Sequence, residues 1–232
     1  MSPTYVARRN ELERYFDRTA SEVWKRLTSD APVGRVRATV RAGRDAMRNA
    51  ILSWLPDDLR GARVLDAGCG TGAMTAELAR RGAHVLGVDV SPTLISIAQD
   101  RLSPNLNAGE ATFVVGDMAD PGLGEFDYVV AMDSLIHYAG PDITHTIARF
   151  AARTRTAIIF TFAPRTPALA IMHALGRFFP RGQRAPAIAP ISKRAIERRL
   201  ATHPEFADWR IARVSRIHSG FYISQALEVT RR

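Results

Sequence analysis

The stretch Val64-Leu65-Asp66-Ala67-Gly68-Cys69-Gly70-Thr71-Gly72 decides the fold, because a short apolar run empties into three glycines at alternate positions. A backbone that turns without side chains can press its amides against a nucleotide-like ligand. The following residues extend the pattern. Ala73 to Arg81 has helical spacing, His84 to Val90 reads as a buried strand, and Asp89 ends that strand where a ribose diol would lie. A nucleoside-bearing cofactor is the first expectation.

Working outward, strands are predicted at Arg63–Ala67, His84–Val90, Ala111–Gly116, Phe126–Met132 and Thr156–Phe162, with helices between them. Such βα alternation implies an α/β fold with a parallel sheet covered on both faces. Ser91-Pro92 is an N-cap followed by proline at the first helical position, so Pro92 to Leu102 is the second crossover helix. Ahead of the sheet, Asn10–Thr28 and Arg35–Leu55 carry apolar residues at helical spacing. Beyond Pro164, prolines at 167, 180, 186 and 190 break the pattern, as expected of a lid or insertion. Ser192 then caps a short basic helix to about Thr202, and Trp209–Ser219 and Phe221–Thr230 form a hairpin at Gly220 that closes the sheet. The expected organisation is a helical cap over 1–56, a cofactor-binding core over 57–164, a lid over 165–191, and a helix and hairpin over 192–232 completing the core sheet.

A chain of 232 residues with 46% hydrophobic content suits one α/β domain. The single cysteine, Cys69, excludes an internal disulfide and a cysteine-based metal cluster. Met1 to Arg14 carries charges throughout, unlike a signal peptide, and no apolar run approaches the roughly 18 residues of a spanning helix. The expectation is a cytoplasmic protein. Charge is segregated: residues 1–50 hold 11 Lys/Arg against 6 Asp/Glu, residues 51–148 hold 5 against 13, and residues 149–232 hold 16 against 4. An acidic centre suits a cationic cofactor, and basic flanks suit an anionic substrate, an anionic membrane surface or nucleic acid.

Gly68-Cys69-Gly70-Thr71-Gly72-Ala73 nearly satisfies the dinucleotide pattern too, so the neighbours decide. Asp66 stands where a dinucleotide site would hold a diphosphate, and a carboxylate there repels that ligand; a sulfonium with a free ammonium is attracted. Val64–Gly72 resembles motif I of the class I S-adenosylmethionine-dependent methyltransferases. Asp89, followed by Val90, matches the acidic residue those enzymes use on both ribose hydroxyls. Gly116-Asp117-Met118 matches their third-strand motif, in which the carboxylate faces the adenine amino group and the next amide meets a ring nitrogen. Phe126-Asp127-Tyr128-Val129-Val130 matches their fourth strand, whose end faces the transferred methyl. The resemblance implies a Rossmann-like, seven-stranded, mostly parallel sheet with a C-terminal antiparallel hairpin. It implies S-adenosylmethionine bound by Asp66, Gly68, Gly70, Gly72, Asp89, Val90, Asp117, Met118 and Asp133, and S-adenosylhomocysteine as product.

The superfamily does not choose the acceptor. Three further elements resemble the magnesium-protoporphyrin IX methyltransferases: Tyr15-Phe16 with Trp24 and the basic stretch through Arg41, Asp133-Ser134-Leu135-Ile136-His137-Tyr138, and Phe221-Tyr222-Ile223-Ser224. That resemblance places Tyr15 and His137 nearest the chemistry and implies a role in (bacterio)chlorophyll synthesis, where one propionate of the metalloporphyrin is esterified. It also implies contact with the porphyrin-binding subunit of magnesium chelatase. Magnesium arrives within the substrate, and no histidine is assigned to a metal of the protein's own. The segment Ile171 to Arg184, apolar and basic, would suit peripheral attachment at the photosynthetic membrane. Without the resemblance, His137 reads as a core histidine bonded to a carbonyl, and Tyr15 as helix packing. Methylation of nucleic acid remains a competing reading, weakened because no Asn/Asp-Pro-Pro-aromatic element follows the fourth strand. Other small carboxylic acids or phenols, and regulatory binding of S-adenosylmethionine without turnover, also stay open.

Overall fold

The computed structural model describes residues 1–19, 34–103, 109–165 and 187–232. Its first element, α1 (Pro3–Arg14), starts seven residues before the expected Asn10. Ser2 is its N-cap, accepting from the Tyr5 amide, and Pro3 takes the first helical position. This is the signal that opens the helix after Ser91. A wider π-helical turn at Tyr15–Thr19 follows. Trp24 and the rest of the expected first helix lie outside the described residues. α2 (Arg35–Leu52) ends three residues short of the expected Leu55.

The core alternates as expected: β1 (Arg63–Ala67), α3 (Ala73–Arg80), β2 (His84–Asp89), α4 (Pro92–Arg101), β3 (Glu110–Val115), β4 (Phe126–Ala131), α5 (Gly140–Ala151) and β5 (Thr154–Phe162). α6 (Lys193–Ala201) precedes β6 (Trp209–Ser219) and β7 (Tyr222–Arg231). The sheet has seven strands in the order β3-β2-β1-β4-β5-β7-β6. β1 to β5 pair in parallel, and β7 inserts antiparallel between β5 and β6. The antiparallel hairpin expected at Gly220 is therefore present.

Alternate residues of the same strands feed two cores. On one face Leu65, Val129, Ile158, Phe160 and Leu227 pack with α1, α5 and α6 through Leu12, Ile147, Phe150 and Leu200. On the other, Val64, Val130 and Ile159 pack with α2 and α3 through Met47, Ile51 and Leu78. α1 and α2 thus clamp the sheet from opposite sides. Residues 166–186, including Ile171 to Arg184, lie outside the described residues, but the ends of the expected lid meet: Pro164 bridges Ile191, and the Ile191 amide donates to Ala163 at 2.9 Å. No helix among the described residues is long and apolar enough to cross a membrane.

In an open parallel sheet, ligands bind beyond the carboxyl ends of the strands where strand order reverses. Here that point lies between β1, which continues to β2, and β4, which continues to β5.

Candidate active site

The glycine turn leaves β1 at this switch point. Gly68 and Gly70 take φ values of 82° and 54°, in the left-handed region that side chains disfavour. A Cβ on Gly68 would collide with the Cβ of Ser134, whereas one on Gly70 would meet no atom within 4 Å and project into open space. The turn is pinned to β2, since the amides of Gly68 and Cys69 donate to the Val88 carbonyl at 2.8 and 3.1 Å.

Asp89 spans the turn and the next helix. One carboxylate oxygen accepts from the Gly70 amide at 2.9 Å and the other from the Ser91 amide at 3.0 Å. Asp66 sits behind the turn, 1% exposed, where it accepts from the Thr75 hydroxyl at 2.6 Å. Burial pushes its carboxyl up to about 6, opposed by the Thr75 hydrogen bond and reinforced by the charge of Asp89. Burial also raises the Asp89 carboxyl, opposed by the Ser91 and Gly70 amides. Two enclosed acidic groups beside a bare backbone turn favour a cationic ligand over an anionic one.

A cavity of about 280 Å³ opens over this turn. Of the residues predicted for the cofactor, Gly68, Gly70, Asp89, Val90, Met118 and Asp133 line it, and so do both predicted catalytic residues, Tyr15 and His137. Asp66, Gly72 and Asp117 do not. Asp66 and Gly72 lie under the turn, and Asp117 faces α1. Its oxygens accept from the Tyr5 hydroxyl at 2.6 Å and from Arg9 at 3.1 Å, and the Ala119 amide adds a bond at 2.9 Å. The bonds to Tyr5 and Arg9 fasten α1 above the cavity. Tyr5, which stacks on Tyr138 with ring centroids 4.8 Å apart, was missed because the helix starts earlier than its apolar spacing suggested.

Tyr15 and His137 are 122 positions apart in the chain and are linked through Phe16. The Tyr15 and Phe16 rings are 5.1 Å apart, and Phe16 lies edge-on to His137 at 6.2 Å. His137 is 8% exposed at the end of a single 3₁₀ turn, Leu135–His137, that follows β4. Burial raises the Tyr15 phenol above its ordinary value, so it is a proton donor near neutrality.

Asp133 is held by more partners than its motif suggested. It has a φ of 56°, unusual for a residue with a side chain. Its amide donates to the Thr161 hydroxyl at 2.7 Å. Its carboxylate accepts from Tyr222 at 3.0 and 3.2 Å and from Ser224 at 3.3 Å, and Arg44 lies 3.3 Å away. α2 is close enough to supply Arg44 because Gly43 lets it lie on Tyr222, where a Cβ would come within 2.5 Å of the ring. Arg44 carried no local signal.

Comparison with known proteins assigns the chain to a family. A sequence model of the family described as magnesium-protoporphyrin IX methyltransferase C-terminus matches residues 131–231, and a general methyltransferase-domain model matches 64–156. The chain is 52% identical over 229 residues to magnesium-protoporphyrin O-methyltransferase of Rhodobacter capsulatus, covering 98% of this chain and 99% of that one. It is 33% identical over 220 residues to the Synechocystis protein of the same name, covering 94% of each. The crystal structure of magnesium protoporphyrin IX methyltransferase from Synechocystis PCC 6803 with bound SAH superposes with a TM-score of 0.84 at 30% identity, covering 97% of this chain and all of the other. A switch-point cavity over a glycine turn, with Tyr15 and His137 on its wall, therefore sits in a chain that belongs to the magnesium-protoporphyrin IX O-methyltransferase family.

Proposed function

We propose that this chain moves the methyl group of S-adenosylmethionine onto one propionate carboxylate of magnesium-protoporphyrin IX, with Tyr15 and His137 orienting the acceptor. The observation that carries the reading is that both side chains line the same cavity as the Gly68–Gly70 turn and Asp89. When bound, the donor supplies a sulfonium-activated methyl whose bond to sulfur breaks with its electron pair as the new carbon–oxygen bond forms.

The residues fit that donor. Asp89 holds the turn through the Gly70 and Ser91 amides and accepts from the ribose hydroxyls with its remaining lone pairs, and the open space over Gly70 admits a ligand against the backbone. The residue set proposed for the cofactor is Gly68, Gly70, Asp89, Val90, Met118 and Asp133 on the wall, with Asp66 and Gly72 shaping the turn and Asp117 acting through α1.

A propionate has an ordinary pKa of about 4.3 and arrives ionised, so no proton needs to be removed. What it lacks is freedom from water and a fixed direction of attack. The neutral Tyr15 phenol donates a hydrogen bond to one carboxylate oxygen, and His137 fixes the other. Leu12, Phe16, Met132 and Ile136 line the same cavity and exclude water. Delivery of so apolar a substrate from a membrane surface or from the chelatase subunit belongs to the same reading, supported by the basic flanks alone.

Replacing His137 by Ala and Tyr15 by Phe tests the assignment. Each variant should lower kcat for ester formation at saturating porphyrin by roughly tenfold or more, with S-adenosylhomocysteine affinity intact. Full activity in both variants would remove the acceptor role from these residues.

A further inference from the structure

Magnesium-protoporphyrin IX carries two propionates, and the chemistry above uses one. We propose that Arg44 binds the second, unreacting propionate. This rests on the porphyrin-esterifying reading of the site.

Among the described residues lining the cavity, Arg44 is the one with a permanently positive side chain, while Asp89 and Asp133 line it as acids. A dianionic substrate entering such a cavity needs a cation on its wall to offset repulsion from those acids. Arg44 is suited to that task by how it is held. One of its terminal nitrogens lies 3.3 Å from Asp133, on the wall of the cavity. Its side chain is 23% exposed against 6% for Asp133, so it is the less enclosed member of the pair. A guanidinium carries five N–H donors in a planar fork and can bridge two carboxylates.

Asp133 does not depend on Arg44 for neutralisation of its acceptors. Tyr222, Ser224 and Thr161 all donate to its carboxylate. The arginine can therefore turn toward an arriving carboxylate without stranding a buried charge, and Asp133 keeps it aimed in the meantime. Because Arg44 stands on α2 and Tyr15 follows α1, the two propionates would be read by two elements that clamp opposite faces of the sheet.

Three porphyrins separate the two propionate sites: the magnesium-protoporphyrin IX diacid, its monomethyl ester product and its dimethyl ester. Binding is read from the Soret band, with S-adenosylhomocysteine present and its own affinity measured as the folding control. Arg44→Gln should weaken the diacid and the monoester alike, roughly tenfold to hundredfold, and leave the dimethyl ester unchanged. Arg44→Lys should recover part of the loss, because it keeps the charge without the fork. Tyr15→Phe should weaken the diacid alone.

The proposal is overturned if Arg44→Gln changes none of the three affinities. It is equally overturned if all three fall together, which would assign Arg44 to the pocket's shape, or if only the diacid weakens, which would put Arg44 on the reacting propionate. Wild-type protein that forms no ester would instead remove the underlying reading.

Discussion

Tyr222 donates its phenolic hydrogen to both carboxylate oxygens of Asp133, at 3.0 and 3.2 Å, although 89 positions separate them in the chain. The bond ties the last strand to the segment that follows β4, and so fixes the wall on which His137 stands. Burial, with the charge of Asp133 added, holds the Tyr222 phenol protonated and donating. Tyr222→Phe keeps the ring packed on Gly43 but leaves the carboxylate short of a donor. Hydrogen bonds to charged groups are worth about 1.5–3 kcal/mol, and urea denaturation should show a loss of that order. A variant as stable as wild type would show that Ser224, Thr161 and Arg44 suffice.

The two bare positions of the turn differ in what they forbid. Gly68→Ala adds a methyl that meets Ser134 as well as a left-handed backbone, whereas Gly70→Ala faces the backbone cost alone, about 1–2 kcal/mol. Thermal unfolding should rank Gly68→Ala well below Gly70→Ala. Gly70→Ala should nevertheless lose cofactor affinity, because its methyl projects into the cavity. Equal melting temperatures for the two variants would contradict the packing at Ser134.

Asp89→Asn leaves one carbonyl oxygen to serve two amides, those of Gly70 and Ser91, and turns an NH₂ against one of them. The ribose also loses a charged acceptor. S-adenosylhomocysteine affinity, measured by calorimetry, should fall roughly tenfold to hundredfold. An unchanged Kd would exclude Asp89 from the cofactor site.

Asp66 sets a pH dependence of stability with a definite sign. Its folded-state carboxyl is raised to about 6, while the unfolded chain ionises near the ordinary value of about 3.9. Between these values the unfolded chain has released its proton and the fold still holds it, so the fold loses stability as pH rises. Above about 6 the loss is complete, on the order of 3 kcal/mol. Asp66→Asn keeps an acceptor for Thr75 and lacks the ionisation. Urea titrations should show the variant gaining on wild type from pH 4 to pH 7 and running parallel to it beyond. Parallel curves throughout would mean that Asp66 ionises in the fold as it does in water.

Much of this was legible in the sequence because the signals are local. The glycine turn, the acids that follow it and the alternation of strand and helix each lie within a few residues of one another, and the seven-stranded sheet follows from them. The start of α1 was carried by Ser2-Pro3 rather than by apolar spacing, since only Tyr5 and Leu12 are buried along that helix. The bond from Tyr5 to Asp117 was not legible because 112 positions separate the two. Arg44 was illegible for the same reason: nothing around Gly43 and Arg44 announces that α2 will lie on Tyr222. The turn itself was readable; the contacts that brace it from a distance needed the fold.

The central claim is most directly tested by incubating the protein with methyl-labelled S-adenosylmethionine and magnesium-protoporphyrin IX and analysing the porphyrin by mass. The account predicts one labelled methyl per porphyrin, released by mild base as an ester should be, and its loss in the His137→Ala, Tyr15→Phe double variant. A porphyrin recovered unlabelled from wild-type protein that demonstrably binds S-adenosylmethionine would contradict it.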